Sequence, residues 1–263
     1  MQKLKVIATS LEEIAPLALA ESWDSVGLLV GEADGWIRRA MTCLTVTDAT
    51  LGEAIDRKAN LIIAHHPLPF KPQPRITDET PTGRLLIKAI RHEVAIYSPH
   101  TAWDNALLGI NRRLGEFVGL IGIEPLSLSR EPELAKQGLG TGIMGSISPT
   151  QGIVDVVRTL RQSVPHIEVR TTHEPQRQVA KLGIVCGSGG SLVSLAAQRH
   201  CDAFLTGEAT YHQCLEAEAL GVAMIMIGHH ASEYFAMQAL AVELQSRVPD
   251  VEFWCSEREH SRF

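Results

Sequence analysis

At 263 residues the chain can build one large domain or two ordinary ones, each with its own core. Hydrophobic residues at 45% and charged residues at 21% exclude a disordered chain. A formal net charge of -6, with both signs interspersed, gives no clear nucleic-acid footprint.

The opening MQKLKVIATSLEEIAPLAL reads as an amphipathic helix carrying Glu12 and Glu13, not as a secretory signal, so the expected compartment is the cytoplasm. No apolar run reaches the roughly 18 residues of a membrane span, so no membrane association is expected. In chain order, Ala40 to Val46 predicts a strand, Ala49 to Lys58 a helix, and Leu61 to Ala64 a buried strand. Phe70 to Thr82, with Pro72, Pro74 and Pro81, predicts an irregular loop. A helix over Thr82 to Arg91, a strand over Val94 to Tyr97 and a helix from Asn105 to about Phe117 follow.

Glu124 to Gly138 carries two prolines and mixed charge, which suits a boundary between domains 1–127 and 128–263, with terminal elements open to exchange. Beyond it, Thr141 to Ile147 predicts a strand. Ser148-Pro149 predicts an N-cap and first turn for a helix reaching about Gln162. Strands at Ile167 to Thr171, Val179 to Val185, Ala203 to Thr206 and Val222 to Ile227 alternate with helices near Ser191 to Arg199, Tyr211 to Leu220 and Ser232 to Arg247. Such alternation predicts an α/β fold with mainly parallel, layered sheets.

The five cysteines (Cys43, Cys186, Cys201, Cys214, Cys255) are scattered and show no C-x-x-C pair. Any metal is therefore expected on nitrogen and oxygen ligands, which the 11 histidines help to supply. An internal echo points to where. Leu61-Ile62-Ile63-Ala64-His65-His66 resembles Met224-Ile225-Met226-Ile227-Gly228-His229-His230, each a strand ending in a histidine pair. Ligand sites in open α/β sheets favour that carboxyl edge.

His65 and His66 precede Pro67. Neighbours on a regular strand point to opposite faces, so both imidazoles meet one site only if the backbone turns; otherwise one binds and the other packs. In His100-x-x-x-Asp104, Asp104 can be a ligand or the N-cap of the next helix. His229-x-x-x-Glu233 puts an imidazole and a carboxylate on one helical face, about 5–6 Å apart at Cβ. Asp24 either hydrogen-bonds a substrate or caps the turn before Gly27. Glu208 and His212 form another spacing-four pair, lining a cleft, facing solvent or supporting a metal ligand from behind. The Gly187-Ser188-Gly189-Gly190-Ser191 turn can seat a phosphate on its N–H groups, but it lacks the lysine of a P-loop, and tight strand–helix turning explains it equally.

At these residues the sequence resembles the Nif-three-like family of dinuclear metal proteins, also labelled GTP cyclohydrolase type-two homologues. Carrying the resemblance are Trp23-Asp24-Ser25-Val26-Gly27-Leu28, His65-His66-Pro67, His100-Thr101-Ala102-Trp103-Asp104-Asn105, Thr206-Gly207-Glu208 and Gly228-His229-His230-Ala231-Ser232-Glu233. It implies two similar layered α/β domains with the metal site in the cleft between them, assembled as a homohexameric ring. It also implies two divalent ions per chain held by His65, His66, Asp104, His229 and Glu233, with Glu233 bridging them. Ligands of this kind suit zinc, iron or manganese. Metal-assisted hydrolysis of a small nucleotide-like substrate is then the expected activity, with His100 as an extra general acid or base, or as a residue orienting a ligand. The alternative is a non-catalytic metal-dependent ring with a regulatory or ligand-binding role.

Overall fold

Among the described residues, alternating apolar strands and helices assemble two larger sheets, of five and six strands, beside two two-stranded ones. The layered α/β arrangement is as the pattern predicts, but the six-stranded sheet is mixed and not mainly parallel. The computed structural model describes residues 1–164 and 167–261. The chain divides into two compact units, Met1–Trp103 with Ala236–Phe263, and Asp104–Phe235.

In the first unit a five-stranded sheet has the order Glu252–Cys255, Arg39–Cys43, Leu61–Ala64, Ala95–Ser98, Gly27–Val30. The first four run parallel, and Gly27–Val30 closes the edge antiparallel. Leu61–Ala64 is buried along its whole length, as a central strand covered on both faces requires. Helices Asp48–Asp56 and Pro81–Arg91 begin where threonines cap them. Thr47 forms a capping box with Thr50, and Thr80 accepts from the Gly83 N–H just before Pro81. Leu51 and Leu86 from these helices pack with Met41, Ile62 and Ile96 of the sheet.

The second unit holds a six-stranded sheet in the order Arg170–Thr171, Ala223–Met226, Ala203–Thr206, Gln178–Val185, Ile143–Gly152, Ile121–Glu124. Only the contacts among Gln178–Val185, Ala203–Thr206 and Ala223–Met226 are parallel; the others are antiparallel. Its core gathers Met144, Val193, Phe204, Ala217 and Met224. Among the described residues no helix is long and apolar enough to cross a membrane.

Three local expectations change. The Ser148-Pro149 pair opens no helix: Ile143–Gly152 stays extended through it, and the helix is Ile153–Ser163. The pairing register shifts between Ser146 and Gln151, so Pro149, which has no N–H, sits where the ladder is interrupted. Asp104 is not an N-cap either. It ends a short helix, His100–Asp104, and the next helix, Ile110–Phe117, starts after Gly109 without a side-chain cap. Finally, the Glu124 to Gly138 segment lies inside the second unit, while the last helical turns and Glu252–Cys255 belong to the first. That closing strand joins the first sheet because its edge partner, Arg39–Cys43, leaves a parallel ladder open, and Phe253 and Trp254 are buried there.

Candidate metal centre

In the first unit the sheet's carboxyl edge collects imidazoles. The ladder continues past Ala64, since the His65 N–H donates to the Cys43 carbonyl and that of His66 to the Leu44 carbonyl. The chain then turns into Pro67, and the rings of His65 and His66 lie with centroids 5.2 Å apart. The turn thus brings both imidazoles to one place, which a regular strand does not allow. His100 joins them from the end of the adjacent strand Ala95–Ser98, with centroids 5.2 Å from His65 and 5.8 Å from His66. These three residues offer ligand atoms all within 4.8 Å of one another, a group that could hold a metal ion.

Two of the three rings are oriented from behind. Thr45 Oγ1 lies 2.8 Å from His66 Nδ1, and the Asp24 carboxylate lies 2.8 Å from His100 Nδ1. A carboxylate only accepts, so His100 donates from Nδ1, which leaves Nε2 as the ring nitrogen turned away from Asp24. Burial works to raise the Asp24 pKa. Hydrogen bonds from His100, Thr101 and the Ser25 N–H outweigh it and hold the carboxyl below its ordinary value. Asp24 therefore does more than close the turn before Gly27. His100 itself sits at φ +27°, a conformation L-residues rarely adopt, and that backbone strain occurs where the residue enters the cluster.

The second unit builds a comparable edge. After Ala223–Met226 the Ile227 and Gly228 N–H groups keep pairing, to Thr206 and Gly207 carbonyls, and His229 then opens the helix His229–Arg247. The i, i+4 spacing performs as expected: His229 Nε2 lies 3.1 Å from Glu233 Oε2. On its other side Nδ1 is 2.9 Å from Glu208 Oε1, which also accepts from the Ser188 hydroxyl. Burial by itself lowers the His229 pKa, but the carboxylates of Glu233 and Glu208 outweigh it and push it up to about 9. Any cation bound at Nε2 displaces that proton while Glu208 keeps hold of Nδ1.

Asp104 lies in the same unit, with Oδ1 accepting from the Cys186 thiol at 3.1 Å. Burial, together with the nearby Asp104 and Glu233 carboxylates, pushes the Cys186 thiol well above its ordinary pKa, so it stays protonated. The Gly187-containing turn is a tight strand–helix connection in which Gly189–Leu192 forms a 3₁₀ turn. Its first glycine matters to the site. At φ +59°, a Cβ on Gly187 would stand 2.2 Å from Glu233 Oε1 and 3.3 Å from His229 Nε2. The bare backbone leaves that carboxylate its room, which fits a ligand that must also reach a cation.

Glu208 precedes the helix Tyr211–Ala219, which Thr210 caps, so the expected Glu208–His212 face does not form. Glu208 turns instead to His229, and His212 is exposed beside Tyr211. A position behind a metal ligand is one of the roles the sequence offers Glu208, and the structure gives it His229 as partner. The Thr45 contact to His66 and the Gly187 clearance were not legible, because both depend on loops that meet only in three dimensions.

Comparison with known proteins identifies the family. Residues 2–261 match the model of the Duf34/NIF3 (NGG1p interacting factor 3) family, and the chain belongs to that family. NIF3-like protein 1 of Drosophila melanogaster is 35% identical over 236 residues, covering 88% of this chain and 78% of that protein. A protein of Clostridium perfringens named GTP cyclohydrolase 1 type 2 homolog is 29% identical, covering 99% of this chain and 98% of its own. In fold, the crystal structure of a Bacillus cereus protein related to NIF3 superposes with a TM-score of 0.88 at 21% identity, covering 100% of this chain and 99% of that one.

Proposed function

We propose that this protein holds two divalent ions through His65, His66, Asp104, His229 and Glu233 and hydrolyses a small nucleotide-like substrate with them. The observation that carries the proposal is the convergence of His65, His66 and His100 within 4.8 Å at one sheet edge. The oriented His229–Glu233 pair of the second unit supports it. The substrate class rests on relatives named as GTP cyclohydrolase 1 type 2 homologues.

When bound, two adjacent divalent ions supply an acidified water and positive charge that stabilises the attacked group. The chain's own residues do the rest. Thr45 and Glu208 engage Nδ1 of His66 and His229, which would leave Nε2 of each as the atom to hold a cation. Asp24 holds His100 in the tautomer whose Nε2 accepts a proton, and stabilises the imidazolium once that proton has moved. Glu233, at 3% exposure, would offer its carboxylate oxygens to the ions.

Elemental analysis of reconstituted protein, beside turnover assays with GTP and phosphodiesters, tests the reading. About two ions per chain are expected, with Glu233→Ala losing both ions and turnover and Asp104→Asn weakening mainly one ion. Fewer than one ion per wild-type chain sinks the dinuclear centre. Full metal loading without turnover points to the non-catalytic alternative. A homohexamer is proposed on the family resemblance alone, and light scattering in solution checks it.

A further inference from the structure

Two large aromatic side chains stand exposed at the rim of the imidazole cluster. Trp23 is 63% exposed and Phe70 is 53% exposed. Their ring centroids are 6.1 Å apart, and they lie 6.0 Å and 6.1 Å respectively from His100. Exposed apolar side chains scattered singly need no explanation. A pair in mutual contact, both edge-on to a ring of the candidate centre, does.

The backbone beside each ring is restrained. Trp23 lies between Glu21, whose N–H donates to Thr101 Oγ1 at 3.0 Å, and Asp24. The Asp24 carboxylate takes hydrogen bonds from His100, Thr101 and the Ser25 N–H. Phe70 follows Pro69 and precedes Pro72, which restrict the backbone on either side. A restrained backbone reduces the conformational entropy lost when a ligand settles on these side chains.

We propose that Trp23 and Phe70 form a stacking corner for the planar heteroaromatic ring of a small ligand, setting that ring against His100. The inference rests on the small-substrate reading above and names the part of the substrate the corner receives. A tilt of 50° between the rings rules out a parallel sandwich. The ligand ring stacks on one aromatic face and meets the other at its edge, the offset and T-shaped geometries that aromatic quadrupoles favour. A corner of two side chains is too small for a stable protein interface, which takes roughly 800 Å² per partner. It is the right size for one nucleobase-like ring, and such stacking tolerates any base because each has a π-face.

Calorimetric titration of the metal-loaded protein with guanosine, adenosine and ribose 5-phosphate tests the corner without requiring turnover. Both nucleosides should bind, and Trp23→Ala should weaken them about ten- to hundredfold. Trp23→Phe should recover most of that loss, Phe70→Ala should weaken them less, and ribose 5-phosphate should respond to none of these changes. Metal content should stay at the wild-type level throughout. Nucleoside affinity unchanged in both alanine variants, or no nucleoside binding to wild type, overturns the proposal. Nucleoside binding sensitive to Trp23 but without turnover leaves the corner standing and removes the hydrolase reading. Turnover whose KM ignores Trp23 does the reverse.

Discussion

A single missing Cβ sets the geometry around Glu233. Gly187 lies at φ +59°, and alanine there brings a methyl to within 2.2 Å of Glu233 Oε1. Gly187→Ala should therefore cost about 1–2 kcal/mol from the left-handed backbone alone and push Glu233 out of position. Thermal unfolding measures the first effect, and metal content by elemental analysis the second. Wild-type metal content would show that Glu233 needs no such clearance. Glu208 acts one step further out, on His229 Nδ1. Glu208→Gln keeps the shape but removes the charge. It should weaken metal binding roughly ten- to a hundredfold, as for other carboxylates behind a ligating histidine. Competition with a chelator of known affinity reads that change; an unaltered affinity would reduce Glu208 to a surface contact of Ser188.

At the scale of elements, one buried carboxylate ties the chain's end to the first unit. Glu53, on the helix Asp48–Asp56, accepts from Trp254 Nε1, the Ser256 hydroxyl and the Glu257 and Arg258 N–H groups. It thereby fixes the strand Glu252–Cys255 and the segment after it, which returns Glu259 to the Leu44 and Thr45 N–H groups. Burial raises the Glu53 pKa, but the hydrogen bonds from Ser256, Glu257 and Arg258 outweigh it and leave the pKa below its ordinary value. A carboxyl depressed in the folded state stabilises the fold above its unfolded pKa, and that contribution is lost as the pH falls through the folded one. Glu53→Gln should cost about 1–3 kcal/mol at neutral pH and flatten the acid limb of the stability profile in urea unfolding. An unchanged acid limb would mean the carboxylate's charge contributes nothing.

The same segment shows what a linear sequence displays and what it conceals. Leu61–Ala64 and Ala203–Thr206 are legible because central parallel strands are apolar on both faces, and His65, His66 and His229 stand out because they follow such runs. Gly27–Val30 and Glu252–Cys255 are short edge strands with mixed burial, and their identity depends on partners far away in the chain. Asp104 illustrates a different failure. Its type suits a cap, but a thiol 82 residues away engages its carboxylate, and the helix it was expected to start begins at Ile110. The candidate ligands were thus legible as residues, and Glu208 as a residue that could support one, while Thr45 behind His66 and the pairing of Glu208 with His229 were not.

At the scale of the whole molecule, the proposed ligand set draws on both compact units, since His65 and His66 belong to one and Asp104, His229 and Glu233 to the other. Ions that bind only the folded chain stabilise it by mass action, and one ion at a hundred times its Kd adds about 2.7 kcal/mol. For a chain of this length that corresponds to roughly 5–10 °C in Tm. Zinc added to chelator-treated protein should therefore raise Tm by at least this amount. The variants decide whether the ions are shared. If one pair of ions needs ligands from both units, His66→Ala and Glu233→Ala should each abolish most of the shift, although they alter different units. If each unit binds an ion by itself, each variant should remove only a part, and the double variant should remove the sum. Differential scanning calorimetry distinguishes these outcomes without any knowledge of the substrate, and additive losses would replace a shared dinuclear centre with two independent mononuclear ones.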